Sequence, residues 1–249
     1  SVMGTYIGML GGTDPAAKVL FATHLLSASV MAVPGSIVLA KMLCPQTEEA
    51  TDHVAISGKE KENSNILDAI SSGTVTGVKL MTNIAAMLLV FISLVALANY
   101  ITEGVIGRYT GLNDWIVKIT DGKAQGLTFQ FILGVITSPF MWLIGVPSQD
   151  IMLVGSLLGQ KTILNEFVAY FQLQQWKDAG LFMYEKSILM STYILCGFAN
   201  ISSIGILLGG LGVLAPEKRG LISRIGVPAM IGGALVSVLS ATIIGMILG

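Results

Sequence analysis

A single carboxylate, Glu166, sits in the run ILNEFVAY with apolar neighbours on both sides. A charge at membrane depth costs about 2.5–3.5 kcal/mol on insertion scales, so a carboxylate kept there has a partner or a task. Asn165 beside it adds a second hydrogen-bonding group, and Lys161, five residues earlier, is the partner a purely structural account would choose. Further along, CGFANISS puts Asn200, Ser202 and Ser203 in the middle of an uncharged stretch from Ser187 to Pro216. In a continuous helix Asn200 and Ser203 share a face. In a broken one, freed carbonyl and N–H groups point inward beside them. Either arrangement supplies donors and acceptors at mid-membrane, as transporter substrate sites require. The same residue types also tie membrane helices together with no substrate involved. Short hairpin with carboxylate, then a helix broken at Asn and Ser, is the layout of discontinuous-helix secondary transporters.

Other chemistry has little to stand on. Two cysteines, Cys44 and Cys196, make neither a disulfide framework nor a four-ligand metal site. Two histidines, His24 and His53, lie far apart with no ligand spacing around either. His24 reads as a hydrogen-bonded core histidine and Asn83 as interhelical glue. The spacing of Gly205, Gly209, Gly210 and Gly212 reads as close helix packing. No P-loop, nucleophile elbow or HExxH run is present. A net charge of −1 and a pI near 6.1 leave no basic footprint for nucleic acid.

The elements that must position these residues are apolar and long. Of 249 residues, 53% are hydrophobic and 12% charged, with a mean hydropathy of +0.76. An ordinary soluble domain carries roughly 25% charged residues. The charges cluster and leave five uncharged windows, Val19–Ala40, Leu80–Thr102, Ala124–Gln149, Ser187–Pro216 and Ile225–Gly249. A spanning helix needs about 20 mostly apolar residues, so the chain is an all-α integral membrane protein.

Pro34 falls inside the first window, where neighbouring helices can satisfy the carbonyl it frees. Residues 46–65 form a polar loop, and Ile66, Leu67, Ile70 and Val78 suggest an interfacial amphipathic helix over 64–79. Leu80–Thr102 is the cleanest span. The window Ala124–Gln149 is interrupted at Thr137-Ser138-Pro139 and ended by Gly145-Val146-Pro147. Between Ser148 and Trp176 lie two apolar pieces, Ile151–Gln160 and Phe167–Gln175, too short to span, which predict a re-entrant hairpin. Tyr109 and Trp115 suit a membrane–water boundary. The basic cluster around LAPEKRG and Arg224 puts loops 41–79 and 215–224 in the cytoplasm and the C-terminus outside. The first residues, SVMGTYIGMLGG, read as the inside of a helix, so the sequence is expected to be the C-terminal portion of a longer protein.

The wording of the motifs adds a resemblance. GxKTxxNEFVAY, from Gly159 to Tyr170, and CGFANxSSIxIxxGGxGxLAPxxR, from Cys196 to Arg219, resemble the concentrative nucleoside transporter family. The likeness extends to Ser29–Glu48, Asn65–Leu80 and Ile144–Pro147, nearly the whole chain. It implies a homotrimer in the plasma (inner) membrane, each protomer with two inverted repeats of hairpin plus broken helix. On that pattern 1–45 holds the end of the first repeat's broken helix and a following span. Residues 46–79 are a cytoplasmic loop and interfacial helix, 80–105 the long scaffold helix, and 106–147 an external loop with an interfacial helix. Residues 148–249 are the transport region: hairpin 148–176, broken helix 187–215, last helix 220–249. The resemblance assigns Glu166 to the ribose hydroxyls, with Asn200 and Ser203 completing that site. Asn165 lies beside it, Phe198 packs on the nucleoside, and Val2 lies near the base.

The implied function is a cation-coupled nucleoside importer working by alternating access, with sodium as coupling ion and proton coupling as the alternative. No other cofactor is implied. The family's nucleobase contacts and sodium ligands lie mainly in a first hairpin that has no counterpart in this sequence. A reading from another class is a non-transporting membrane scaffold or subunit. An enzyme is not expected, because no nucleophile–base or metal pair is present.

Overall fold

The computed structural model describes residues 2–45, 65–120, 122, 124–214 and 216–249. The polar stretch 46–64 with His53, the side chain of Asn83, and the surroundings of Gly209, Gly210 and Gly212 lie outside the described residues. Among the described residues every regular element is helical.

Helix α1 (Val2–Gly11) leads through a tight turn into α2 (Pro15–Leu43). Asp14 starts α2: its side chain accepts the Ala16 N–H at 2.9 Å, and Pro15 fills the first helical position, where no N–H is needed. Its 29 residues, about 44 Å at 1.5 Å per residue, exceed the roughly 30 Å hydrocarbon layer and run unbroken through Pro34. One side of α2 enters the core through Phe21, Leu25 and Ala28, and the other exposes Val30, Val33 and Ile37. An apolar face of that extent belongs against lipid or protein.

Asn65 caps α3 (Ile66–Asn99), accepting the Asp68 N–H at 2.9 Å. The sequence boundary between an interfacial helix and a span at 79/80 is not there: α3 is one helix of 34 residues. Gly73 and Gly77 lie inside it. A glycine weakens a helix by about 1 kcal/mol but keeps its N–H, so unlike proline it does not stop the hydrogen-bond ladder. The rod continues through a π-helical stretch (Tyr100–Gly107) and α4 (Arg108–Thr110), then turns at Gly111 (φ +73°) into α5 (Leu112–Ile119). Tyr109 and Trp115 are exposed there.

Helix α6 (Phe129–Leu143) has 15 residues, about 22 Å, and does not reach across a bilayer. Pro139 lies within it rather than interrupting it, and the chain turns at Gly145 (φ +84°). Among the described residues three stretches are long and apolar enough to cross: Pro15–Leu43, Glu185–Gly205, which includes the break after Cys196, and Arg219–Ile247. The Leu80–Thr102 window is helical within α3 and the π stretch.

Next come α7 (Ile151–Ile163) and α8 (Glu166–Asp178), each 13 residues and joined by Leu164-Asn165. Then follow α9 (Glu185–Cys196), α10 (Ile201–Leu214), a short 3-10 turn (Pro216–Lys218) and α11 (Arg219–Ile247). Glycines set the α6–α7 contact. A Cβ on Gly134 would lie 2.8 Å from the Met152 carbonyl oxygen, and Cβ atoms on Gly155 and Gly159 would lie 2.6 Å from Thr137 Oγ1 and Leu133 Cβ. Gly205, expected to pack closely, instead faces open space. The core joins α1, α2, the hairpin, α9 and α11 through Leu10, Leu25, Tyr170, Met190, Ile194 and Ala241.

Candidate functional site

The hairpin reverses at Leu164-Asn165, and Asn165 makes the reversal stable. Its extended backbone (φ −165°, ψ 171°) precedes α8, and its side-chain oxygen accepts the Val168 N–H at 2.9 Å. That cap places Glu166 at the first position of α8. There the positive end of the helix dipole favours a carboxylate, and Glu166 is only 9% exposed.

The second half of the site is the break between α9 and α10. Helix α9 stops at Cys196, the chain runs extended through Gly197, and α10 begins at Ile201. Asn200 starts α10: its Oδ1 accepts from the Ser203 N–H at 2.8 Å and the Ser202 hydroxyl at 2.7 Å. Ser203 answers, its hydroxyl donating to the Asn200 carbonyl at 2.6 Å and accepting the Asn200 N–H at 3.3 Å. Of the two arrangements open at the sequence level, the broken helix is the one formed.

The two helix starts meet. Asn200 Nδ2 donates to Glu166 Oε2 at 2.9 Å, although the residues are 34 apart in sequence. Glu166, Asn200, Ser203 and the Asn165 cap are therefore brought together at one junction. Phe198 lies on the break and is 58% exposed, and Val2 is 51% exposed in the first turn of α1. No hydrogen bond of the cluster involves either apolar side chain.

Lys161 makes no hydrogen bond or close ion pair with Glu166, although the two charges attract. It is wholly buried, and its ammonium donates to the Ile194 carbonyl at 2.7 Å and to Ser237 Oγ on α11 at 3.0 Å. Three further contacts were not legible as functional positions. Tyr6 on α1 stacks on Tyr170, whose hydroxyl donates to the Thr192 carbonyl at 2.8 Å. At the hairpin base, buried Asp150 accepts the N–H groups of Met183 (3.0 and 3.2 Å) and Tyr184 (3.1 Å). Lys177 donates to the Leu10 carbonyl at 2.6 Å, tying the end of α8 to the end of α1. The available signal was a tyrosine within an apolar run for Tyr6 and Tyr170, and a charge at the edge of one for Asp150; Lys177, in a polar run beside Asp178, carried none.

His24 is hydrogen-bonded as expected, 3.1 Å from the Tyr193 hydroxyl, but it is half-buried and lies outside the core. Among the described residues no group of three or more His, Cys, Asp and Glu is placed to share a metal ion. A cavity of about 900 Å³ lies between the end of α3, the 119–131 segment and the hairpin base, with Asn99, Gln130, Gln149, Gln172 and Trp176 in its wall. None of Glu166, Asn200 and Ser203 lines it.

A charged group and an amide that converge from a helical hairpin and a broken helix are an arrangement that discontinuous-helix transporters use for substrate. The chain is similar to known membrane proteins. Residues 24–245 match the family described as Na+ dependent nucleoside transporter C-terminus. An uncharacterized transporter of Haemophilus influenzae is 38% identical, covering 97% of this chain and 58% of that protein. Sodium/nucleoside cotransporter 1 of Rattus norvegicus is 36% identical over 99% of this chain and 37% of its own length. Among solved structures, a variant of CNTnw in an outward-facing state superimposes with a TM-score of 0.79 at 35% identity, over 98% of this chain and 54% of that one. CNTnw in an inward-facing substrate-bound state gives 0.73 at 32%, over 100% and 58%.

The chain belongs to the Na+ dependent nucleoside transporter family, whose C-terminal region it matches. It is an integral membrane protein of transporter type and not an enzyme. It spans about half the length of the relatives it matches.

Proposed function

We propose that this chain forms the ribose-binding half of a nucleoside importer that couples uptake to sodium and works by alternating access. The observation that carries the reading is the Glu166–Asn200 contact at 2.9 Å, which joins the hairpin tip to the break of the following helix. A ribose offers two neighbouring hydroxyl donors. An ionised carboxylate has about four acceptor positions, of which the Asn200 amide takes one, so Glu166 can accept from both hydroxyls. Hydrogen bonds to a charged group contribute about 1.5–3 kcal/mol each.

Ser203 and Asn200 cap each other, which holds the amide in place, while exposed Phe198 offers an apolar ring to the ligand. Asn165 spends its oxygen on the α8 cap and has its side-chain N–H groups to donate. Val2 is the apolar neighbour of the base. Sodium rather than proton coupling is favoured by the family description and by the name of the rat relative. Outward-facing and inward-facing structures of CNTnw support alternating access. The functional unit is a homotrimer in the inner membrane, with α3 as its scaffold.

The test is uptake of labelled uridine into proteoliposomes holding the full-length protein. Expected is accumulation that requires an inward sodium gradient, saturates, and is competed by ribonucleosides. Failure of any ribonucleoside to bind or compete would overturn the reading. Native mass measurement in detergent should give three protomers.

A further inference from the structure

Two polar links join the hairpin to the broken helix, and they have opposite sign. At the C-terminal end of α9 the Lys161 ammonium holds the Ile194 carbonyl; at the start of α10 the Glu166 carboxylate holds the Asn200 amide. A helix carries negative partial charge at its C-terminal end and positive at its N-terminal end. The hairpin therefore sets a cation against the negative end of one half-helix and an anion against the positive end of the other.

The Lys161 link has no outlet to solvent. Its side chain is 0% exposed, and an ammonium buried without partners is strongly unfavourable. Its partners are groups that the break itself supplies. In a continued helix the Ile194 carbonyl would accept from the Phe198 N–H, but α9 ends at Cys196 and Phe198 lies in the break. Ser237 on α11 adds the second acceptor while donating to the Gly233 carbonyl at 3.2 Å. Gly197 keeps the assembly tight: a Cβ there would overlap Ser237 Oγ and lie 3.4 Å from Lys161 Nζ.

We propose that Lys161 is a positioning residue for ribose recognition. It is the fixed rivet between hairpin and broken helix, and the Glu166–Asn200 bond is the exchangeable latch. The inference rests on the ribose reading of Glu166. Ribose hydroxyls that reach Glu166 share its one negative charge with the Asn200 amide, so the Glu166–Asn200 bond weakens as the ligand binds. Were that the sole polar link, ligand binding would loosen the tip from the break and move Asn200, Ser203 and Phe198 out of register. The Lys161–Ile194–Ser237 link uses no ligand-facing group, so it holds the register while the latch exchanges.

The experiment compares uridine and 2′,3′-dideoxyuridine binding by calorimetry on the purified full-length protein, its Lys161→Met variant and its Ser237→Ala variant. Met keeps the stem volume and deletes the ammonium. Ser237→Ala removes one acceptor and leaves the Ile194 bond, so it stays informative if Lys161→Met does not fold. Expected for Lys161→Met is a loss of about tenfold for uridine, with dideoxyuridine changed by less than about twofold, so ribose discrimination collapses. Ser237→Ala should lower the discrimination by about threefold. Equal weakening of both ligands would mark a structural role and overturn the proposal. So would unchanged discrimination in whichever variants fold. A parent protein that binds both ligands alike would instead overturn the ribose reading itself, and the positioning role with it.

Discussion

Tyr6 and Tyr170 stack with ring centroids 4.1 Å apart and planes 24° apart, fastening α1 to the second helix of the hairpin. Tyr170 is wholly buried, and its hydroxyl reaches on to the Thr192 carbonyl of α9. One aromatic pair therefore connects three elements immediately behind Glu166. The Tyr6 hydroxyl is buried and faces the Glu166 carboxylate.

Removing that hydroxyl and removing the ring should differ in size. Truncating a buried aromatic to Ala costs about 3–5 kcal/mol, whereas deleting a buried hydroxyl that faces a carboxylate forfeits about 1–3 kcal/mol. Thermal unfolding in detergent should show Tyr6→Phe lowered modestly in midpoint and Tyr6→Ala lowered further. A Tyr6→Phe midpoint at or above that of the parent would mean that the hydroxyl makes no useful contact with Glu166.

Glu166→Gln should weaken uridine binding roughly 10- to 150-fold, the loss of about 1.5–3 kcal/mol from one charge-assisted hydrogen bond. Dideoxyuridine should lose little in the same variant, because it lacks both hydroxyls. Glu185, exposed in the first turn of α9, provides the control. Glu185→Gln removes only a dipole interaction of about 0.3–1 kcal/mol and should leave affinity within about threefold. If Glu166→Gln also stays within about twofold, Glu166 does not hold the ribose.

Asn200 does two jobs, and one substitution separates them. Ser is as good a helix start as Asn, to within a few tenths of a kcal/mol, but cannot extend an amide to Glu166. Asn200→Ser should therefore keep its unfolding midpoint and lose ribonucleoside affinity by about tenfold. Asn200→Asp keeps the capping oxygen and opposes a second carboxylate to Glu166, so its loss should be larger. An Asp variant that binds better than the Ser variant would remove the Glu166–Asn200 contact from the account.

The glycines of the α6–α7 contact should respond differently from Gly205. A methyl on Gly155 meets Thr137 Oγ1 at 2.6 Å and the Gly134 carbonyl oxygen at 3.0 Å, while Gly205 has open space. Gly155→Ala should destabilise by about 1–3 kcal/mol through overpacking. Gly205→Ala should be neutral or stabilising by up to about 1 kcal/mol, the gain in helix propensity. Equal melting shifts in the two variants would show that α6 and α7 separate readily.

Apolar length and sharp polar breaks survive translation into structure, so the hairpin, the interrupted helix and the long terminal span were readable from the sequence. Glu166, Asn200 and Ser203 were readable for a related reason: polar groups inside an apolar run have few places to go. Continuity was harder to read. The expected boundary between an interfacial helix and a span at 79/80 falls inside one 34-residue helix, and Pro139 resembled a break but sits inside α6. The partner of Lys161 was out of reach, because sequence spacing pointed at Glu166 while the acceptors lie on α9 and α11, 33 and 76 residues away. Long-range pairing of that kind depends on how helices cross, which periodicity does not encode.

Asp150 gives the hairpin a drawstring. Its carboxylate gathers the amides of Met183 and Tyr184, so the two ends of the segment from Ile151 to Phe182 meet at one knot. A loop tied at its neck keeps its two limbs side by side there, whatever happens at its far end. Any displacement of the hairpin must therefore carry both strands of the neck together.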